Sequence, residues 1–229
     1  MRTIDIAPGE YYHLFNRGTR KSTLFYDPRD YARFLFLLLH LQSLTTVANS
    51  SYHVTKFISL RETDKFGGFA SVSRKTVDTI TQQRQVELVA FCLMPNHFHL
   101  CVKEVIEGGI ARYMQRTLMG YTKYFNTKYT TSGHVFQGPY RAVHQSDNEQ
   151  FLHLSSYIHK NPRELKEWKN REQHYFWSSL CDYTKQNRWG DLLHQAIIHE
   201  QFSPAEYMQF VKSSPAKDTF DPIYQSPGD

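Results

Sequence analysis

The chain has 229 residues, enough for one well-filled domain with an appendage, and its mean hydropathy of −0.57 fits a water-soluble globule. Its longest apolar run, Phe34 to Leu39, is far short of the roughly 18 residues of a membrane span, and the opening MRTIDIAPGE has no signal-peptide core, so a cytoplasmic protein with no membrane partner is expected. Cys92, Cys101 and Cys181 form no CxxC pair, which argues against a disulfide framework, and a net charge of +5 is compatible with nucleic acid without establishing it.

Tyr11 to Asn16 (YYHLFN) reads as a first strand that ends at Arg17-Gly18. A helix follows. Asp27 can cap it, Pro28 suits its first position, Asp30 favours its positive end, and YARFLFLLLHLQ is apolar enough for burial against a sheet. Tyr52 to Leu60 reads as a strand, and the polar residues 61–86 as an inserted loop. VELVAFCLM (86–94) and HFHLCVK (97–103), separated by Pro95-Asn96, predict an antiparallel hairpin through the middle of the sheet. Gly109 to Tyr129 has helical apolar spacing, with Arg112, Arg116 and Lys123 between the apolar positions.

VFQGPYRAV (135–143) reads as a loop and short strand. Ser146 to Glu149 reads as a capping box for a helix through FLHLSSYIHK that stops at Asn161-Pro162. Ser203 to Glu206 reads as a second capping box, opening a helix to about Val211, and the tail after Ser213 is expected to be disordered. This order predicts an α+β sandwich, an antiparallel sheet with helices on its faces. Residues 1–190 form its domain, with the insertion at about 61–86, and 191–229 form a helical extension and tail.

Alternation on a strand puts His97 and His99 on one face and Phe98 and Leu100 on the other. Two imidazoles about 7 Å apart can share one divalent cation, though two surface histidines on a half-exposed strand give the same pattern. On the later helix, Phe151, Leu154 and Ile158 form an apolar stripe, and His153, Tyr157 and Asn161 lie on a different face. A tyrosine beside such a stripe is most often a packing residue with a wet hydroxyl.

MPNHFHL, then YIHKNP about sixty residues later, then FWSSL at 176–180, together resemble the His-hydrophobe-His transposases with one tyrosine. Within them the REP-associated tyrosine transposases are most similar. YHLFNRG (12–18) and the YTKYFNTKYTTSGHVFQGPYRA run (121–142) add to the resemblance, which covers roughly residues 10–182. It implies a ferredoxin-like antiparallel sheet with helices on both faces. It also implies His97 and His99 as metal ligands, Tyr157 as nucleophile, and Asn161 at a third ligand position that some relatives fill with glutamine. The insertion and the residues beyond about 190 lie outside what it explains.

The implied activity is nicking and rejoining of single-stranded or hairpin DNA through a 5′-phosphotyrosine, with Mg²⁺ or Mn²⁺, by a monomer or homodimer. Neutral nitrogen and amide ligands leave such a cation strongly Lewis acidic, and an aryl phosphate ester conserves the bond energy that rejoining uses. Arg17, Arg112, Arg116, Lys123, Arg141 and Lys160 are the candidate DNA contacts, with Arg141 as a phosphate clamp, and each is also readable as a solvated side chain. The rival from another class is a non-catalytic module that binds single strands by stacking and phosphate contacts. A histidine-triad enzyme needs a third histidine where Cys101 stands, and no cysteine completes a structural zinc site.

Overall fold

Strands whose residues alternate between two buried faces need cover on both sides, and the chain supplies helices for each. The computed structural model describes residues 5–61 and 68–216. Its strands β1 (Tyr11–Arg17), β2 (Val86–Met94), β3 (His97–Glu104) and β4 (Arg141–Gln145) lie in the order β2-β3-β1-β4, with every neighbouring pair antiparallel. Helices α1 (Pro28–His40), α2 (Ser50–Arg61) and α3 (Arg74–Gln82) separate β1 from β2, and α4 (Gly109–Tyr129) separates β3 from β4. A β-α-β-β-α-β plan with β1 and β3 central is the ferredoxin-like arrangement. After β4 come α5 (Asn148–Lys160), α6 (Leu180–Thr184), α7 (Ala196–His199) and α8 (Pro204–Ser213).

One face of the sheet meets α1 and α4: the Phe34 ring of α1 lies 5.0 Å from Phe98 of β3 and 5.1 Å from Tyr121 of α4. The other face meets α5, where Phe151 packs on Tyr11 of β1 at 4.8 Å. Asp27 caps α1 by accepting from the amides of Arg29 and Asp30. Asp30 does more than complement the helix end. It is fully buried and accepts from Lys128 Nζ, Tyr124 Oη and Tyr129 Oη at 2.6–2.8 Å, tying α1 to α4. The FWSSL segment runs along the outer edge of β2: Leu93 N donates to Trp177 O, Ser179 N donates to Phe91 O, and Trp177 stacks on Tyr31 at 4.8 Å. At the end of β1 the chain turns so tightly at Gly18 that a Cβ there would collide with the Ser22 carbonyl oxygen.

Four expectations change. Tyr52 to Leu60, read as a strand, lies in α2, whose buried residues are Val54 and Phe57, three apart and so on one helical face. The expected loop holds α3, capped by Ser73 and anchored by the buried Ile80, while residues 62–67 lie outside the described residues. The N-cap of α5 is Asp147 rather than Ser146, because the Asp147 carboxylate accepts from the Gln150 amide at 2.8 Å. Ser203 and Glu206 do form a capping box at α8, but the residues after Ser213 do not begin a loose tail: Ser214 and Ala216 are buried against the body. Residues 217–229 lie outside the described residues. Leu192, Leu193, Ile198, Tyr207 and Val211 all enter the common core. Among the described residues no helix is long and apolar enough to cross a membrane.

Candidate active site

His97 and His99 project from the α5 side of β3, while Phe98 and Leu100 are buried on the other side. Register sets their neighbours: β1 places Arg17 opposite His97, Phe15 opposite His99 and His13 opposite Cys101. Three β1 side chains therefore share the histidine face. The His97 and His99 rings are 5.0 Å apart and nearly perpendicular. His97 Nδ1 lies 2.7 Å from Asn96 Oδ1, and His99 Nδ1 lies 2.9 Å from Nε2 of the fully buried His13.

Tyr157 of α5 meets this cluster edge-on, its ring 5.4 Å from that of His99 and 5.8 Å from that of His13. It is only 3% exposed, unlike the wet-hydroxyl tyrosine that a helix covered on one face would give. The reason is that Tyr157 points into the sheet, against His99 and His13, while the segment carrying α6 and α8 covers the opposite side of α5. On that second side His159 bonds Tyr207 Oη and Ser179 Oγ, both at 2.8 Å. Burial pushes the His159 imidazole down to about 3. Asn161 caps α5 from a fully buried position, its Nδ2 donating to the carbonyls of Tyr157 at 2.9 Å and Ile158 at 3.4 Å.

The half-exposed Glu164 brings a carboxylate oxygen 4.0 Å from His97 Nε2. Sequence reasoning passed over this residue, although Tyr157, Asn161 and Glu164 are spaced four and three apart, one helical face. It also passed over His13, whose place depends on strand register.

A divalent cation fits the donors present. Nδ1 of each histidine and Nδ2 of Asn161 meet groups inside the protein, so a cation held here would be ligated through the two Nε2 atoms and Asn161 Oδ1. Among the described residues no group of three or more His, Cys, Asp or Glu is arranged to hold a metal. Two imidazoles and an amide oxygen, completed by water or phosphate oxygens, are outside that description and suit a cation that keeps part of its hydration.

The expected DNA contacts divide. Arg17 flanks His97 and donates from Nε to Gln137 Oε1 at 2.5 Å, and Arg141 is exposed on β4 opposite Phe15. Arg112, Arg116 and Lys123 belong to α4, on the opposite face of the sheet. Arg112 donates to Gln85 Oε1 and the Glu107 carbonyl, and Arg116 to the Ser43 carbonyl, while Lys123 is exposed. Lys160 does not fit a phosphate contact: it is 3% exposed and its ammonium donates to the Ser214 carbonyl, because the segment after α8 lies over it.

A family model described as "Transposase IS200 like" matches residues 46–161, half of the chain, a stretch that includes His97, His99, Tyr157 and Asn161. No curated protein matches the chain. A solved structure of a REP-associated tyrosine transposase bound to a REP hairpin is similar in fold, with a TM-score of 0.50 and 12% identity over 86% of this chain and 92% of that one.

Proposed function

This chain belongs to the IS200-like transposase family, and we propose from that premise that it nicks and rejoins single-stranded or hairpin DNA through Tyr157. The observation that carries the reading is the Tyr157 ring set edge-on against His99, with Asn161 one turn further along the same helix. The structure of similar fold was solved with a REP hairpin, which favours hairpins as the substrate class.

In this reaction Tyr157 Oη attacks a phosphorus in line. The P–O3′ bond breaks, the 3′ oxygen leaves and takes up a proton, and a 5′-phosphotyrosine remains. A later 3′-OH attacks the same phosphorus, restores the phosphodiester and releases Tyr157. His97 and His99 through Nε2, and Asn161 through Oδ1, would hold Mg²⁺ or Mn²⁺, whose Lewis acidity offsets the charge that develops on the phosphate. Arg17 and Arg141, on the same face of the sheet, draw in the DNA backbone. Because Tyr157 faces the histidines of its own chain, nucleophile and metal ligands act in cis. The reading also requires the nearly buried Tyr157 hydroxyl to be uncovered when DNA binds.

The test is incubation with hairpin DNA carrying single-stranded flanks and Mn²⁺, followed by a denaturing gel and peptide mapping of any adduct. A DNA-linked peptide containing Tyr157 is expected. Tyr157→Phe should lose the adduct and the nicking together, keep hairpin binding, and change stability by no more than about 1 kcal/mol, roughly one hydrogen bond. Tight binding without any adduct in the wild type would instead identify a non-catalytic binding module.

A further inference from the structure

Metal-binding histidines depend on the proton carried by the ring nitrogen that does not ligate, and the two histidines of β3 differ in what holds that proton. For His97 the question is settled by Asn96. The Asn96 amide nitrogen points to the Lys21 carbonyl at 3.3 Å, which can only accept, so the amide oxygen is the atom facing His97 Nδ1 at 2.7 Å. That oxygen also only accepts. Nδ1 of His97 therefore carries a proton, and in the neutral ring Nε2 carries the lone pair.

For His99 the partner is another imidazole. The 2.9 Å contact between His13 Nε2 and His99 Nδ1 holds one proton, which either ring can donate. His13 reaches this place because β1 pairs with β3 in a register that sets it diagonally beside His99, on the face that Tyr157 covers. It is fully buried, stacked on Phe15 at 4.7 Å. It also lies outside residues 46–161, so the family match says nothing about it.

We propose that His13 and Asn96 are positioning residues that fix the tautomers of His99 and His97, so that both rings turn Nε2 to one divalent cation. The inference rests on the metal role of His97 and His99 in the reading above. With a cation on His99 Nε2, the ring proton must sit on Nδ1, and His13 Nε2 becomes its acceptor. Outer partners of this kind keep a ligating ring in one orientation and raise its basicity, and their loss typically weakens metal binding by about 10- to 100-fold. A histidine kept only for packing predicts something else: its value would follow volume, and a neutral hydrogen-bonding replacement would have no advantage over an apolar one.

The test uses the full chain and measures metal directly, with bound Mn²⁺ counted by electron paramagnetic resonance and bound Co²⁺ followed by its d–d absorption. His13→Leu and Asn96→Ala are expected to weaken Mn²⁺ binding by about 10- to 100-fold and to alter the Co²⁺ spectrum. His13→Gln, which can place an amide oxygen near the Nε2 position, and Asn96→Asp should recover most of the affinity. Hairpin binding without metal reports whether each variant is folded. Wild-type affinity and spectrum in a folded His13→Leu protein would overturn the assignment, and so would His13→Gln failing as badly as His13→Leu. If the wild type itself binds neither ion, the metal reading falls and this inference goes with it. That outcome is distinct from normal wild-type binding with unaffected variants.

Discussion

Tyr157 and His159 stand two residues apart on α5 and face opposite sides of it. Toward the sheet, Tyr157 meets His99 and His13; toward α6 and α8, His159 meets Tyr207 and Ser179. Both clusters join buried imidazole to phenol. Tyr207 Oη donates to Ser155 Oγ, which donates to the Leu152 carbonyl, so His159 Nδ1 is the donor to Tyr207 and Nε2 accepts from Ser179. Every ring nitrogen of His159 is used inside the protein. In the first cluster Nδ1 of His97 meets Asn96 Oδ1, Nδ1 of His99 meets His13 Nε2, and Nε2 of His97 lies 4.0 Å from a Glu164 carboxylate oxygen. A histidine held at both nitrogens within the fold serves packing, whereas His97 and His99, met at Nδ1 by Asn96 and His13, would turn Nε2 to the proposed cation.

The largest effect that could break this contrast comes from removing one histidine from each cluster. His159→Ala strips two hydrogen bonds from a closed network and opens a cavity, which should cost about 2–5 kcal/mol and lower the melting temperature by roughly 5–15 °C. Metal affinity of the folded fraction should be unchanged. His99→Ala should abolish nicking and Mn²⁺ binding with a smaller loss of stability. Equal losses of Mn²⁺ affinity in the two variants, measured below both melting points, would show that the clusters are not separate in function.

How much of this was legible in the sequence follows from the range over which each feature is encoded. The placing of His97 and His99 on one face is local, a consequence of strand alternation, and so are the Tyr157-to-Asn161 step and the Asp27 and Ser203 caps. His13 was not legible, because its neighbour is 86 positions away and depends on the β1–β3 register. Lys160 was misjudged for a similar reason, since the cover that buries it arrives 54 positions later. α2 was misread because only Val54 and Phe57 are buried in it, too few positions to separate a period of 3.6 from one of 2.

A smaller effect sharpens the same contrast through acid. His159 is held down to about 3 and His40 to about 4, both by burial, against an ordinary value of 6.5. Below pH 6.5 the unfolded chain takes up protons that the folded chain refuses, so stability present above that pH is lost as pH falls toward 4. The slope approaches about 1.4 kcal/mol per pH unit for each histidine. Urea midpoints at pH 7 and pH 5 measure it. His159→Gln should show a shallower loss than the wild type, with His40 and His194, which burial also holds down, contributing to what remains, whereas an unchanged loss would remove His159 from the account.

The smallest effect concerns arginines, which divide between groups bonded to carbonyls on the α4 face and groups exposed beside the histidine face. Arg116 on α4 donates to the Ser43 carbonyl on the far side of the sheet, whereas Arg141 is exposed on β4 beside the histidine face. A contact to DNA phosphate releases counterions and so adds to the slope of log affinity against log salt, by about 0.7 per phosphate on a single strand and 0.9 on a duplex. Arg141→Gln should therefore reduce that slope by roughly 0.7–0.9, with modest loss of affinity at low salt. Arg116→Gln should leave the slope alone and cost about 1 kcal/mol of stability, the worth of a carbonyl hydrogen bond. Fluorescence anisotropy with a labelled hairpin, over roughly 50–200 mM salt, measures both slopes. If Arg116→Gln flattened the slope and Arg141→Gln did not, DNA would have to cross the α4 face, and the histidine face would no longer be where the strand is held.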